Sequence, residues 1–377
     1  MQRRPFLSTV AVVSLLALAA CGGGGGDAAP SPSPTPAPVS PGVLSISAMP
    51  RLDPFPTTPQ QYATVAQEAF DLAWSAGARG QMNTWTWRAM EPTAGTFATQ
   101  PFADLAAAVA TAAGRGMVQY VGLQPINTGV LELPVDLAGQ ALDSTVVQNR
   151  FKALLDRVIV PNRGRIRYLS LGNEVDAYLR AHPADWARYT RFFTAMVAYA
   201  KQLDPALQVG VTATAEGALS LSTAELRTLN AASDVVVLTY YPLQFSGAGE
   251  VRVRGPGVVA ADFAALLAFA GAKPLLLQEV GYPAAASTGS SVQQQAQFVR
   301  NVFAAWKAAP ARVPFLNVFL MHDFTAQMCA DFVVYYGATG SSTFADFLCT
   351  LGLRQADGTK RPAWDALVEE AHAAGLP

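Results

Sequence analysis

Two glutamates that end apolar stretches are the residues of this chain best suited to chemistry. Glu174 closes the run 166–174, and Glu279 follows the run 274–278. Each run predicts a short buried strand that stops at the carboxylate, and a buried strand end is a costly place for a lone acid. Either glutamate alone could be a solvated strand end or a salt-bridge partner. Two such strand ends in one chain favour paired carboxylates for acid–base or nucleophilic catalysis.

Strand-like and helix-like stretches alternate eight times after residue 42, which indicates how the chain positions these two acids. The predicted strands are 43–48, 80–86, 117–124, 166–173, 208–214, 235–241, 274–279 and 314–321. The predicted helices are 60–76, 102–115, 145–160, 184–203, 223–232, 260–270, 292–308 and 362–374. Strands separated by helices pair in parallel through crossover connections. Eight such units in one domain predict an α/β fold, a (β/α)8 TIM barrel with a single catalytic domain.

The order of the strands places both acids on one face of this barrel. Glu174 ends the fourth predicted strand and Glu279 ends the seventh, and barrel enzymes build their active sites at the C-terminal ends of the strands. A doubly wound sheet is the main alternative, but it would favour a glycine-rich phosphate turn after the first strand. Residues 45–51, Ser-Ile-Ser-Ala-Met-Pro-Arg, contain no such turn. The barrel is therefore the favoured fold.

The first 42 residues have the composition of an export signal followed by a tether. Residues 1–20 join a basic start to an apolar stretch too short for a comfortable membrane span, which is typical of a secretory signal. Residues 18–21, Leu-Ala-Ala-Cys, resemble the lipobox of bacterial lipoproteins, in which the cysteine, here Cys21, becomes the acylated N-terminus. An ordinary signal peptide with a chance cysteine is the alternative. The Gly/Pro/Ser-rich residues 21–42 cannot offset their ordering entropy and predict a disordered tether to a domain at 43–377.

This N-terminal pattern predicts where the protein acts. The residue after the cysteine is Gly22 rather than aspartate, which resembles the signal for transfer to the outer membrane if the source is Gram-negative. We therefore expect an exported protein that is lipid-anchored to the cell envelope. Its predicted membrane contact is the N-terminal lipid, and we expect a monomer.

Composition excludes some classes of function. The chain is 51% hydrophobic and 14% charged, with a formal net charge of −1, which predicts a large buried core. No basic stripe indicates binding to nucleic acid. The histidines, His182, His322 and His372, lack the spacing of metal ligands, so we expect no metal site and no cofactor.

The remaining cysteines predict one disulfide. Cys329 and Cys349 lie close together in the sequence of a chain that carries an export signal. Oxidising compartments favour such pairs, so we expect a disulfide that closes a long loop before the last helix.

Four short motifs lie at the ends of predicted strands and together indicate a family. They are Gly172-Asn173-Glu174, Gln278-Glu279, the segment 87–97 (Trp-Arg-Ala-Met-Glu-Pro-Thr-Ala-Gly-Thr-Phe) and Thr239-Tyr240-Tyr241-Pro242. This ordered set resembles the retaining glycoside hydrolases of clan A, which are (β/α) barrels, over about residues 43–377. The turns at 239–242 and 279–283 look most like those of the endo-β-1,4-galactanases and nearby families.

The resemblance implies a role for each member of the glutamate pair. Glu174 corresponds to the acid/base and must hold a proton near neutral pH, which burial beside a second carboxylate favours. Glu279 corresponds to the nucleophile and must be ionised to attack the anomeric carbon. Asn173 would bond the sugar hydroxyl next to the reacting carbon, or it is a structural strand-end amide.

Aromatic residues near the pair are predicted to bind the nucleophile and the sugar. We expect Tyr241 to hydrogen-bond Glu279, with Tyr240 as the reserve, because adjacent strand residues point in opposite directions. Trp85 and Trp87 have strand spacing and face the same way. We favour Trp87 as the ring that stacks on sugar, whereas core filling is as good an account of Trp85.

Polar residues complete the predicted sugar site. Asn83 shares the face of the tryptophans and would line the floor of the pocket, and Gln124 and Asn127 are candidate polar contacts. Clan A members often carry a tryptophan after the eighth strand, where this chain has His322 and Asp323. These two could replace it as sugar contacts, and His322 could equally be a buried structural histidine.

Together these features predict a lipid-anchored retaining glycoside hydrolase that acts on a β-linked polysaccharide or oligosaccharide. A non-catalytic glycan-binding lipoprotein on the same scaffold is the alternative, although a pure binder has no need of two buried acids. A lyase or aldolase is a third class. Those enzymes usually need a strand-tip lysine or a metal cluster, and no predicted strand tip carries either.

Overall fold

The computed structural model describes residues 42–245 and 250–376. The predicted signal peptide, Cys21 and all but the last residue of the predicted tether lie outside these residues. Within the described ranges, no helix is both long enough and apolar enough to cross a membrane.

The sheet closes on itself as a parallel barrel. Its strands in the described residues are β1 (Val43–Ile46), β2 (Gly80–Thr86), β3 (Val118–Asn127), β4 (Ile166–Asn173), β5 (in two parts, Gln208–Gly210 and Thr212–Thr214), β6 (Val236–Tyr240), β7 (Leu275–Val280) and β8 (Phe315–Val318). Each strand pairs in parallel with the next. Strand β8 pairs with β1 in parallel and closes the barrel. The predicted (β/α)8 fold is confirmed.

Helices cover the outside of the barrel, one after each strand. They are α1 (Pro59–Ser75), α2 (Thr99–Gly114), α3 (Thr145–Ile159), α4 (Asp185–Leu203), α5 (Thr223–Leu229), α6 (Val259–Ala270), α7 (Val292–Ala308) and α8 (Pro362–Ala373). Shorter helices are Trp87–Met90, Val175–Ala181, Ala326–Tyr335 and Phe344–Leu348, and short extra strands are Val130–Leu131, Leu243–Phe245 and Val251–Val253.

Local sequence signals explain where the helices begin and which face they bury. Helix α1 starts at a capping box in which the Thr58 hydroxyl accepts a hydrogen bond from the Gln61 backbone N–H at 3.2 Å. Helix α7 buries Phe298, Val302 and Trp306, which recur at helical spacing in the core. Each such side chain contributes roughly 1.5–3 kcal/mol on burial.

The inside of the barrel is packed in layers. Tyr120 stacks on Phe315 with ring centroids 5.5 Å apart, and Tyr168 meets the same ring edge-on at 5.7 Å. Toward the C-terminal ends of the strands the packing becomes polar. There the Tyr120 hydroxyl donates to Gln278 Oε1 at 2.6 Å, and Thr212 donates to the same oxygen. The predicted catalytic residues lie next to this polar layer, at the C-terminal ends of the strands.

The chain between β8 and α8, residues 319–361, is the long insertion of this barrel, and we call it the β8–α8 segment. It contains the helices Ala326–Tyr335 and Phe344–Leu348. A disulfide joins Cys329 to Cys349 within it, which confirms the predicted pair. The segment lies on the side of the barrel where the strands end.

Candidate active site

Glu174 and Glu279 lie at the ends of β4 and β7 and line one cavity of about 1230 Å³. This cavity, the β4–β6 cavity, is also lined by Glu216 and Tyr241, which follow β5 and β6. A second cavity of about 840 Å³ adjoins it. This β2–β3 cavity is lined by Thr84, Trp85, Thr86, Gln124 and Asn127, and it shares Asn173, Glu279, Phe319, Tyr336 and Leu348 with the first.

The backbone around Glu174 turns sharply from strand to helix. Glu174 itself has φ 46° and ψ 42°, a left-handed conformation that non-glycine residues adopt mainly where surrounding structure enforces it. Gly172 precedes it at φ 102°, and a Cβ there would lie 2.5 Å from the Tyr189 hydroxyl. Only glycine fits that position. The turn ends β4 and starts the helix Val175–Ala181, so the carboxylate is held at the rim of the barrel.

Two threonines hold the Glu174 carboxylate in place. The Thr128 hydroxyl donates to Oε2 at 2.8 Å, and the Thr239 hydroxyl donates to Oε1 at 2.7 Å. A hydroxyl can donate or accept, so these contacts can persist whether Glu174 is ionised or carries a proton. A residue just after β3 and a residue near the end of β6 thus fix the orientation of the acid that follows β4.

Glu279 is held by a tyrosine and by its own neighbour. The Tyr241 hydroxyl donates to Oε2 at 2.7 Å, and Gln278 Nε2 lies 3.4 Å from Oε1. The pairing of β7 with β6 shifts register between Leu277 and Glu279. Such an irregularity interrupts the alternation of side chains along the strand. The consecutive residues Gln278 and Glu279 can therefore both face the barrel mouth.

Burial raises the pKa of both carboxyl groups, and a neighbouring carboxylate adds to the effect in each case. Burial raises the pKa of Glu279 to about 7, with a further contribution from the charge of Glu174, against the hydrogen bonds from Tyr241 and Gln278. Burial also raises the pKa of Glu174, and the nearby Asp176 adds to the effect. Two close acids lose their protons in successive steps. The pair can therefore keep one proton near neutral pH, which acid–base chemistry requires.

Asn173 joins the pair to the barrel interior. Its Oδ1 accepts a hydrogen bond from Gln278 Nε2 at 2.7 Å, and its Nδ2 donates to Asn127 Oδ1 at 3.0 Å. Because Nδ2 carries two hydrogens, one remains for a ligand in either cavity. Asn127 and Gln124 line the β2–β3 cavity, as does Trp85. The two amides can bind the hydroxyls of a sugar ring.

The structure places Trp87, the favoured sugar-stacking ring, and Tyr240, the reserve to Tyr241, away from both cavities. Trp87 is fully buried, donates from Nε1 to Glu91 at 2.9 Å and packs edge-on against Phe151. Trp85 and Trp87 lie on the face of β2 that packs in the core against the helices, and Trp87 begins the helix Trp87–Met90. Trp85 borders the β2–β3 cavity but is only 3% exposed, in keeping with core filling. Tyr240, the reserve, instead donates to Asp262 at 2.8 Å in the outer core.

Three predicted polar contacts, His322, Asp323 and Asn83, line neither cavity, and for His322 the structural alternative holds. His322 is buried, with Nδ1 2.7 Å from the Met49 carbonyl and Nε2 accepting from Arg354 at 3.1 Å. Burial lowers its pKa to about 4, which keeps it neutral and structural. Asn83 is buried outside both cavities because it faces the helix layer, next to Val121 on the paired strand. Neither Nδ2 nor Oδ1 of its side chain has a hydrogen-bond partner among the described residues. Asp323 is bound by Arg361 at 2.9 Å.

Sequence reasoning missed several residues that line the site. Glu216 is a third carboxylate in the β4–β6 cavity, and burial raises its pKa to about 7, with a contribution from Glu174. It lies in the helical turn that follows β5, with no motif around it. Tyr336 lines both cavities but belongs to the β8–α8 segment, which no motif covers. By contrast, Thr239 and Gln278 stand inside the motifs quoted above, so their contact with the pair had a sequence signal.

Comparisons with known proteins identify the fold. No protein-family model matches the chain, and no curated protein matches it. A variant of the GH5_18 protein from Streptomyces cattleya, solved with Manβ1-4GlcNAc, is 18% identical, with a TM-score of 0.63 over 80% of this chain and 73% of that one. A GH5_18 protein from Bifidobacterium longum subsp. infantis is 20% identical, with a TM-score of 0.63 over 81% and 73%.

A third similar structure is an exo-β-1,4-mannosidase from Opitutaceae bacterium strain TAV5. It is 18% identical, with a TM-score of 0.60 over 80% of this chain and 54% of that one. At such identities the likeness establishes a shared (β/α)8 barrel. The reaction of this chain has to be inferred from the residues at the barrel mouth.

Proposed function

We propose that this protein is a retaining glycoside hydrolase, with Glu174 as the acid/base and Glu279 as the nucleophile. One observation carries the proposal: carboxylates at the ends of β4 and β7 line one cavity, with a tyrosine hydroxyl donating to Glu279. The barrel fold shared with glycoside hydrolase structures and the resemblance to clan A agree with it. A paired acid and carboxylate is the machinery that glycosidic bonds require.

In the first step, the Glu174 carboxyl group gives its proton to the glycosidic oxygen while the Glu279 carboxylate attacks the anomeric carbon. The bond from that carbon to the leaving oxygen breaks, the leaving sugar departs as an alcohol, and a glycosyl ester forms on Glu279. Tyr241 supports this role because a donor on the carboxylate favours its ionised form.

In the second step, water replaces the enzyme on the sugar. The Glu174 carboxylate takes a proton from water, whose oxygen attacks the anomeric carbon and releases the Glu279 carboxylate. Each step inverts the anomeric carbon, so the product keeps the configuration of the substrate. The residues return to their starting states, one protonated and one ionised.

The substrate class is drawn from the structural neighbours and from the motifs. One neighbour holds Manβ1-4GlcNAc and another is named an exo-β-1,4-mannosidase, so β-mannosides are the first class to assay. The galactanase-like turns make β-1,4-galactan the second. In either case Asn173 and Gln124 line the β2–β3 cavity and offer hydrogen bonds to the hydroxyls of the sugar.

The reaction can be followed on aryl β-glycosides by proton nuclear magnetic resonance. We expect the β-anomer of the free sugar to appear first and then to equilibrate with the α-anomer in solution. A panel of β-mannoside, β-galactoside, β-glucoside and β-xyloside would define the sugar. First appearance of the α-anomer would contradict the retaining mechanism, and no turnover of any glycoside or polysaccharide would contradict the proposed function.

We also propose that the protein is lipid-anchored to the cell envelope through Cys21, on the pattern of residues 18–21. Replacing Cys21 with alanine removes the thiol that would carry the lipid. We expect the variant to leave the membrane fraction or to accumulate as an unprocessed precursor, as measured by fractionation and mass spectrometry. Maturation and membrane association equal to those of wild type would refute the anchor.

A further inference from the structure

The β8–α8 segment reaches across the mouth of the barrel to the opposite rim. Its helix Ala326–Tyr335 ends at Tyr335, whose hydroxyl donates to Glu132 Oε1 at 2.6 Å. The same hydroxyl accepts a hydrogen bond from Asn127 Nδ2 at 3.1 Å. Asn127 ends β3 and Glu132 lies in the loop that follows, whereas the segment starts at β8. The crossing therefore passes over the ends of β1 and β2.

Several contacts fix the segment in this position. At its base, Arg361 donates to Asp323 Oδ1 at 2.9 Å, in a buried ion pair. The disulfide between Cys329 and Cys349 joins its two short helices. Phe324 and Phe332 pack edge-on with ring centroids 5.0 Å apart. The segment is thus a built part of the barrel mouth, held at both ends.

The two cavities differ in which member of the glutamate pair they contain. Glu174 lines the β4–β6 cavity and not the β2–β3 cavity, whereas Glu279 lines both. An acid must reach the leaving oxygen, so the leaving group lies on the side of Glu174. The sugar that is attacked by Glu279 then occupies the β2–β3 cavity, beside Trp85 and Gln124.

The β8–α8 segment lines both cavities, and it bounds the sugar-holding cavity at the β3 rim. Phe332, Tyr335 and Tyr336 line the β2–β3 cavity from above, opposite residues of β2 and β3. The bridge from Tyr335 to Glu132 closes the gap between the segment and the β3 rim. A glycan chain that was cut internally would have to continue past the attacked sugar, through the place where this bridge stands.

We propose that the β8–α8 segment blocks the β3 side of the β2–β3 cavity, so that the protein removes sugars from the non-reducing ends of β-linked glycans. This inference rests on the proposed function and adds its mode of action. The β4–β6 cavity, lined by Glu174 and Glu216, takes the remainder of the chain as the leaving group. Tyr335 is a positioning residue for the β2–β3 cavity and does not touch the reacting atoms.

The test uses the wild-type protein and a β-1,4-linked pentasaccharide labelled at its reducing end, made of the sugar that the aryl glycoside panel identifies. We expect labelled products that shorten by one sugar at a time, with release of free monosaccharide from the first time point. Labelled di- and trisaccharide at the first time point, without monosaccharide, would overturn the inference while leaving the proposed hydrolase intact. Failure to hydrolyse every aryl glycoside and oligosaccharide would overturn both.

A variant of the bridge tests the role of Tyr335. Tyr335→Phe keeps the ring and removes both hydrogen bonds, so we expect kcat/KM on the pentasaccharide to fall about tenfold and internal cuts to appear. Tyr199→Phe is the matched control, since it removes a tyrosine-to-carboxylate bond of 2.8 Å to Asp156 on the outer helices. A Tyr335→Phe variant with the rate and product ladder of the control would overturn the proposed block by this bridge.

Discussion

Replacing Glu279 with alanine is expected to abolish turnover of every glycoside, by about 10⁴-fold or more, whatever the leaving group. The reason is that the variant has no carboxylate to attack the anomeric carbon, so no glycosyl ester forms and a better leaving group cannot help. The measurement is kcat/KM on dinitrophenyl and natural β-glycosides. If the variant kept near-full activity on a natural glycan, the paired-carboxylate mechanism would be wrong.

The stability of a Glu279→Gln variant separates loss of chemistry from loss of fold. Burial raises the pKa of Glu279 from 4.5 to about 7, so the folded state binds a proton that the unfolded state has released between these pH values. Wild-type stability therefore falls as pH rises through this window, by on the order of 1–3 kcal/mol. The amide has no charge to bury, so we expect the variant to unfold at a higher temperature than wild type at pH 8 and to lose this advantage near pH 4.5.

The elements of the barrel were predictable because each has a strong local signal. The eight predicted strands and eight predicted helices correspond to those of the structure within a few residues at each end. Apolar runs of this length are typical of buried strands, and amphipathic stretches of this length are typical of helices. Strands that alternate with helices along the chain pair in parallel. The same alternation put Glu174 and Glu279 at the ends of the fourth and seventh strands, where the structure also has them.

The side chains around the pair were harder to predict. The alternation of side chains along a strand shows which residues share a face, but not which face turns toward the barrel mouth. Trp85 and Trp87 were expected to face the same way and Trp87 was favoured as the sugar-stacking ring, but the face of β2 that they share packs in the core and buries both. The adjacent Tyr240 and Tyr241 do point apart, yet sequence alone cannot say which of two neighbours faces the barrel mouth. His322 looked like a sugar contact because of its position after β8, whereas its buried contacts with Met49 and Arg354 are long-range.

The parts of the site that carry no motif could not be found at all. Glu216 and Tyr336 reach the cavities from the helical turn after β5 and from the end of the helix Ala326–Tyr335, and their contacts join residues far apart in the sequence. The bridge from Tyr335 to Glu132 spans 203 residues of chain. Loops carry much of a barrel enzyme's specificity, and their paths depend on tertiary contacts rather than on local periodicity. Chemistry is thus easier to infer from this sequence than selectivity.

The second large effect concerns Glu174, whose removal is expected to give a different phenotype from that of Glu279. Glu174→Ala should lose about 10³-fold or more on natural glycosides, whose leaving oxygen needs a proton. A dinitrophenolate leaving group needs none, so the covalent step should proceed and release a burst of dinitrophenol. Hydrolysis of the ester on Glu279 would then lack its base and become slow. Stopped-flow absorbance would record the burst and the slow phase.

Rescue by azide and the pH dependence of kcat/KM together test whether the group removed in Glu174→Ala is the acid/base. Azide needs no base, so it should restore the steady-state rate of Glu174→Ala and give a glycosyl azide with the substrate's configuration, because two inversions give net retention. Loss of the Glu174 charge, which raises the pKa of Glu279, should also shift the acid limb of kcat/KM to lower pH and remove the alkaline limb. Azide rescue of Glu279→Ala instead, with inverted product, would keep the pair but exchange the two roles.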